Sequence, residues 1–212
     1  PSFVQVQVSG ACPQACTLCP YPRFGGDILA RKDYMPRSTF KAIAEAVEAF
    51  AGDAVLDISL WGEPSLHPEI QGLIEDALGH PGLSLIVETS GIGWRPGVLE
   101  ALARIGQGRL HWVVSLDSPE PELYRRLRGE GFEEARATAL LLLDLFPKTA
   151  YVQTLRSQDG EEALEEFWRG WKKRTDNVIV QKYSTFAGFL AQKKVTDLSP
   201  LQRRPCWHLK RD

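Results

Sequence analysis

Three of the four cysteines, Cys12, Cys16 and Cys19, fall within eight residues of one another in the segment VSGACPQACTLCPYP, and the fourth, Cys206, is far away. Thiolates are the usual protein ligands of iron–sulfur clusters. The spacing C-x3-C-x2-C lets one loop wrap three irons of a cubane and leaves the fourth iron without a protein ligand. An open coordination position is what catalytic metal sites keep. Pro13 and Pro20 break regular structure and stiffen the loop. Two other arrangements use the same residues. Cys206 completes a four-cysteine zinc site in one. In the other, Cys16 and Cys19 form a C-x2-C redox pair, for which Thr17-Leu18 with no clear helix following is a poor setting. A disulfide framework would spread its cysteines through a small secreted chain. The tight cluster fits a reducing compartment, and the expected location is cytoplasmic.

Other chemistry-bearing residues recur at the ends of predicted strands: Leu60-Trp61-Gly62-Glu63-Pro64, Glu88-Thr89-Ser90-Gly91 and Ser115-Leu116-Asp117. Glycine lets a backbone approach a ligand closely, and a carboxylate suits an ammonium group. Read alone, Gly-Glu-Pro is equally a simple turn. Arg128 in RLRGEGF has the fork that suits a carboxylate, whereas Arg125 and Arg126 read as solvated helix charges. Gln153, Val180, Gln181 and Lys182 fall on the last two predicted strands. The histidines do not cluster and are not expected to bind metal. His67 opens the second helix, His80 ends it, His111 is core or lumen, and His208 belongs to the tail.

The elements that must position these residues form a repeating rhythm. Alternating or apolar runs predict strands at 3–8, 55–60, 83–88, 110–116, 149–155 and 177–183. Phe40, Ile43, Ala44, Val47 and Phe50 follow helical spacing, with Gly52 as a stop. Further helices are predicted at 68–78, 96–104, 119–127, 133–145 and 161–173, the last with Leu164, Phe167, Trp168 and Trp171 on its apolar side. Residues 24–27 and 91–97 read as loops. Strands alternating with helices imply a parallel sheet with right-handed crossovers. A doubly wound sheet and a partial barrel are both compatible with that. Strands covered on both faces read as near-continuous apolar runs. Here Gln5 and Gln7, Asp57 and Ser59, and Ser115 and Asp117 share faces, and Gln153 interrupts another strand. A polar inner face around a wet cavity favours the curved sheet, although a polar residue near a strand end can also simply meet solvent. The candidates then gather at the C-terminal strand ends, the active-site end of barrel enzymes.

The 212 residues allow one well-buried core and make two full domains improbable. A formal net charge of -2 gives no basic surplus for nucleic acid. No apolar run approaches a membrane span. The chain opens at Pro1 and ends in a polar segment, which reads as a piece of a longer protein.

The C-x3-C-x2-C loop after the first strand resembles the signature of the radical S-adenosylmethionine (radical SAM) superfamily. Leu18 stands where an aromatic residue is common. Trp61-Gly62-Glu63 resembles the Gly-Gly-Glu segment that binds the methionyl amino group, with Trp61 replacing the first Gly. Thr89-Ser90-Gly91 resembles a Thr-Asn-Gly segment, with Ser90 in place of Asn. The resemblance implies an α/β partial (β/α)6 barrel over residues 1–183. It implies that Cys12, Cys16 and Cys19 hold a [4Fe–4S] cluster, and that Gly62, Glu63, Ser90, Ser115, Arg128 and Gln153 bind S-adenosylmethionine. Ser115 and Arg128 are placed at the ribose and methionyl carboxylate, Gln153 at the nucleoside, and Val180, Gln181 and Lys182 on the adenine or substrate side. Reductive cleavage of the cofactor would give a 5′-deoxyadenosyl radical that abstracts hydrogen from a substrate. A flavodoxin or ferredoxin would supply the electron. Residues 203–209 (RRPCWHL), within a 184–212 extension, resemble the opening of a SPASM domain, which points to a peptide or protein substrate. QKYSTFAG and PCWHLKRD resemble the spiro-SPASM group. Trp61 and Ser90 also fit a degenerate member that binds cofactor without turnover, and a non-catalytic zinc or iron–sulfur module is the other functional class.

Overall fold

Regular alternation along each strand separates two faces, and the sheet uses them for different purposes. The computed structural model describes residues 2–23, 33–106 and 108–195. The expected 24–27 loop, Cys206, His208 and the 203–209 segment lie outside the described residues. The strands are β1 (Ser2–Gln5), β2 (Ala54–Asp57), β3 (Leu83–Thr89), β4 (Leu110–Ser115), β5 (Ala150–Arg156) and β6 (Val178–Lys182). All neighbours are parallel and stand in chain order from β1 to β6. A doubly wound sheet must reverse its strand order at a switch point. This one never does, so every right-handed crossover lays its helix on the same side, and the sheet curls into half a barrel.

The helices are α1 (Arg37–Ala51), α2 (Ile70–Leu78), α3 (Pro96–Ile105), α4 (Pro121–Arg128), α5 (Phe132–Leu145) and α6 (Glu161–Lys172). The register places Leu56, Leu85, Trp112 and Val152 on the helix-facing side, where they are fully buried in one core with Leu73, Ile74, Leu99 and Leu142. Each such aliphatic side chain contributes about 1.5–3 kcal/mol on burial. The opposite face carries Gln5, Asp57, Ser59, Glu88, Ser115, Gln153 and Gln181; all but Asp57 line one cavity, and Asp57 is buried and accepts from Gln5. The polar interruptions in the strands are therefore the barrel's inner wall.

Several expected bounds shift for local reasons. Regular β2 pairing stops at Asp57, because its Oδ1 accepts from Ser59 N–H (2.9 Å) and takes that donor out of the ladder. Gln7, beyond the end of β1, lines a separate hollow beside Tyr34 and Thr39. Phe40 and Ala44 anchor α1, whereas Phe50 is 90% exposed. At 3.6 residues per turn, Phe50 lies about 80° from Phe40, at the edge of the stripe in the last turn. On α6, Phe167 is buried and Trp168 is exposed, with the Lys172 ammonium 5.8 Å over its ring. His67 precedes α2 rather than opening it. It caps the C-terminal end of a short 3-10 turn, Pro64–Leu66.

Candidate active site

The cysteine loop leaves β1 and docks on the C-terminal end of α4. Thr17 donates both its N–H (2.8 Å) and its hydroxyl (3.3 Å) to the Leu127 carbonyl. The Cys16 thiol points at the Arg128 carbonyl (3.9 Å) and at Gln14 Oε1 (3.7 Å). Cys19 Sγ accepts from Tyr21 N–H at 3.4 Å, and the Tyr21 hydroxyl donates to the Gly10 carbonyl. Cys12, Cys16 and Cys19 all line a cavity of about 400 Å³, together with Gly62, Glu63, Ser90, Ser115, Arg128 and Gln153. Gly62, Glu63, Ser90, Ser115, Arg128 and Gln153 thus meet the cysteines at one place.

Gly62 has a stronger reason to be glycine than ligand approach. A Cβ built there would lie 1.8 Å from the Ser9 carbonyl oxygen. Next to it, Glu63 N–H donates to the Ala11 carbonyl (2.7 Å). The Gly62-Glu63 backbone is therefore packed against the start of the cysteine loop. The Glu63 side chain is buried and accepts four hydrogen bonds. Oε1 takes Thr89 Oγ1 (2.6 Å) and Ser65 N (3.3 Å), and Oε2 takes Ser90 N (2.7 Å) and Ser90 Oγ (2.6 Å). Burial pushes this carboxyl above its ordinary range, and the Ser90 and Thr89 hydrogen bonds oppose that shift. Trp94 Nε1 in turn donates to Thr89 Oγ1 (2.8 Å), tying the strand-end loop to the core.

Across the cavity, Arg128 donates from Nη1 to Asp117 Oδ2 (2.6 Å) and from Nε to Gln14 Oε1 (3.1 Å). Asp117 adopts a left-handed φ of 57°, uncommon for a residue with a side chain. Its other oxygen accepts from Leu155 N–H (2.6 Å), which offsets that cost. Burial alone would lower the Arg128 pKa, but the Cys16 and Asp117 charges raise it, so the guanidinium is held charged. Gln153 Nε2 donates to Ser115 Oγ (3.3 Å), its register partner on β4. On the remaining wall, Gln5 donates to Asp57 Oδ2 (2.7 Å). Burial raises both the Asp57 and Glu88 carboxyls, and the Asp57 charge adds to the rise at Glu88.

The rest of the sequence candidates fall elsewhere. Alternation sends Gln181 into the cavity, while Val180 and Lys182 do not line it. Arg125 pairs with Glu130 (2.9 Å) in solvent. His67 accepts Glu69 N–H at Nδ1 (3.0 Å), so its hydrogen sits on Nε2 and is donated to the Met35 carbonyl (2.9 Å). His80 pairs with Glu48 (2.8 Å). Burial lowers the His111 pKa on β4. Sequence reasoning missed Gln14, Tyr124 and the clamp made by Asp117. Asp117 had a signal in its inner-face position, but Gln14 had none.

The donor set fits an iron–sulfur cluster. Burial pushes the Cys12 thiol up to about 12 and raises those of Cys16 and Cys19, so a cationic centre is needed to draw out the thiolates. Among the described residues, no three His, Cys, Asp or Glu side chains converge on a single metal ion. Three thiolates on a cubane each bind a different iron and need not converge on one ion.

A curled parallel half-barrel with three thiols and a fixed guanidinium at its strand ends defines a class, the α/β half-barrel with its cavity at the C-terminal strand ends. The sequence matches the family model described as the Radical SAM superfamily over residues 6–179, and the chain belongs to that superfamily. It is 36% identical over 191 residues to an uncharacterized protein of Treponema pallidum, covering 84% of this chain and 53% of that protein. It is 31% identical over 142 residues to a PqqA peptide cyclase of Ruegeria pomeroyi, covering 66% of this chain and 36% of the cyclase. The chain therefore spans about half or less of the length of these relatives. In fold it is similar to Streptococcus suis SuiB bound to the precursor peptide SuiA, with TM-score 0.74, 18% identity, 93% of this chain and 43% of SuiB. It is also similar to anSMEcpe with bound AdoMet, with TM-score 0.70, 16% identity, 86% of this chain and 52% of that one.

Proposed function

We propose that this chain is the catalytic half-barrel of a radical SAM enzyme that modifies a peptide or protein. One observation carries the reading: six candidate cofactor residues from five separate segments line the same cavity as the three cysteines. Cys12, Cys16 and Cys19 would hold a [4Fe–4S] cluster. Glu63 would receive the methionyl ammonium, exchanging its longest contact, Ser65 N–H at 3.3 Å, for the amine. Arg128 would face the methionyl carboxylate, and Ser115 and Gln153 the ribose and nucleoside. Bound together, cluster and S-adenosylmethionine supply a 5′-deoxyadenosyl radical that takes a hydrogen atom from substrate. The protein's part is orientation and a walled cavity that limits water.

The peptide assignment is supported by the relationship to a PqqA peptide cyclase and the likeness to SuiB bound to a precursor peptide. Residues 1–183 would form the catalytic domain, and 184–212 would lead into a SPASM domain, as the RRPCWHL segment argues, of the spiro-SPASM type, as QKYSTFAG and PCWHLKRD argue. A flavodoxin or ferredoxin in the cytoplasm would be the electron donor.

The test uses full-length protein, reconstituted anaerobically, reduced and given S-adenosylmethionine, with 5′-deoxyadenosine measured by chromatography. Product well above a Cys16→Ala control is expected. Equal, background product from both, with cluster and cofactor bound to the wild type, would overturn turnover and leave a cofactor-binding protein.

A further inference from the structure

Between Cys12 and Cys16 stand only Pro13, Gln14 and Ala15, and Gln14 alone of these has a hydrogen-bonding side chain. It is 7% exposed, and both ends of its amide are used. Nε2 donates to the Tyr124 hydroxyl (2.7 Å) and the Glu130 carbonyl (3.4 Å). Oε1 accepts from Arg128 Nε (3.1 Å) and faces the Cys16 thiol (3.7 Å). The amide has one workable orientation, because a guanidinium offers only donors. Arg128 is then gripped on two edges, by Gln14 at Nε and by Asp117 at Nη1, and Asp117 is itself fixed by Leu155 N–H. The cysteine loop, α4 and β5 are thereby joined through three side chains, Gln14, Arg128 and Asp117.

Resting on the function proposed above, we infer that Gln14 is a positioning residue. It sets the direction in which Arg128 enters the cavity and ties that direction to the Cys16 ligand. A carboxylate held by Arg128 is then placed at a fixed distance from the iron that Cys16 would bind. The Gln14–Arg128 hydrogen bond serves cofactor placement and is not needed for cluster ligation, so removing it weakens the first and leaves the second.

The experiment compares anaerobically reconstituted full-length wild type with Gln14→Met, which keeps the volume and removes the hydrogen bonds. Iron content and circular dichroism report cluster and fold. S-adenosylmethionine affinity is measured by equilibrium dialysis, and the electron paramagnetic resonance signal of the reduced cluster is recorded with and without it. Gln14→Met is expected to keep its iron and fold, bind S-adenosylmethionine about tenfold more weakly and show a smaller spectral change. In an Arg128→Ala background, adding Gln14→Met should weaken binding no further, since Gln14 acts through Arg128. Wild-type affinity in Gln14→Met, or full additivity with Arg128→Ala, would reduce Gln14 to packing and overturn the inference. If Gln14→Met loses iron, Tyr124→Phe carries the test, with about threefold weaker binding expected and unchanged binding overturning it. A wild type that holds a cluster but binds no S-adenosylmethionine would instead sink the functional reading, and this inference with it.

Discussion

Gly62 and Glu63 do two jobs in adjacent positions, and mutagenesis must keep them apart. The Gly62 Cα faces the Ser9 carbonyl so closely that no side chain fits. The Glu63 carboxylate holds two loop N–H groups and two hydroxyls. Truncating Glu63 to Ala would strand these donors in a buried place, at a cost of about 3 kcal/mol. Glu63→Ala is therefore expected to melt well below wild type as well as to weaken cofactor binding. Glu63→Gln keeps the volume and an acceptor for part of the set. It should retain the cluster and lose S-adenosylmethionine affinity about tenfold, the effect of removing charge from an ammonium contact. Paired thermal melts and equilibrium dialysis on the two variants separate the roles. Equal affinity for Glu63→Gln and wild type would remove Glu63 from the amine site.

At the scale of elements, helix α2 is tied to the start of α1 at Asp76, which pairs with Arg37 and, at 3.9 Å, with Lys41. Arg37 Nε and Nη2 grip both oxygens of Asp76, at 2.6 and 2.9 Å. This hydrogen-bonded pair holds the Asp76 carboxyl below the usual carboxylate range. A lowered carboxyl contributes stability above its unfolded value of about 3.9, and that stability is lost as pH falls through the folded value. Asp76→Asn should therefore melt below wild type at pH 7, with the gap closing below about pH 4. A gap that persisted unchanged at pH 3 would show that the charge is not what matters. Existence and type of every α-helix and strand among the described residues were legible from apolar spacing, whereas the short 3-10 turns Tyr21–Arg23 and Pro64–Leu66 were not. Ends were less so, because side chains such as Asp57 remove backbone donors from the ladder locally.

For the whole molecule, the cavity exists only where loop and strand ends meet. The cysteine loop contacts α4 through Leu127 and Arg128, and the second strand-end loop through Ala11 and Glu63. A group bound by all three cysteines would lock these segments together, and binding to the folded state alone raises stability. Cluster-loaded protein is expected to melt several degrees above chelator-stripped protein, since about 1 kcal/mol shifts a domain of this size by 2–4 °C. Cys16→Ala should abolish the difference. Equal melting of loaded and stripped wild type would place the metal away from this loop.

By itself the sequence determined the parallel α/β rhythm, the cysteine spacing and the polar residues that recur at strand ends, because periodicity and spacing are local properties of a chain. Its polar inner face favoured a curled sheet over a doubly wound one, and the unbroken strand order from β1 to β6 bears that out. Tertiary structure alone decided that Gln14 and Arg128, 114 positions apart, share a hydrogen bond, and that Asp117 clamps the guanidinium. It also decided that Gly62 serves the Ser9 carbonyl. Such contacts arise when distant segments are brought within about 3 Å, a distance that hydrogen bonding requires and that no local pattern of residues encodes.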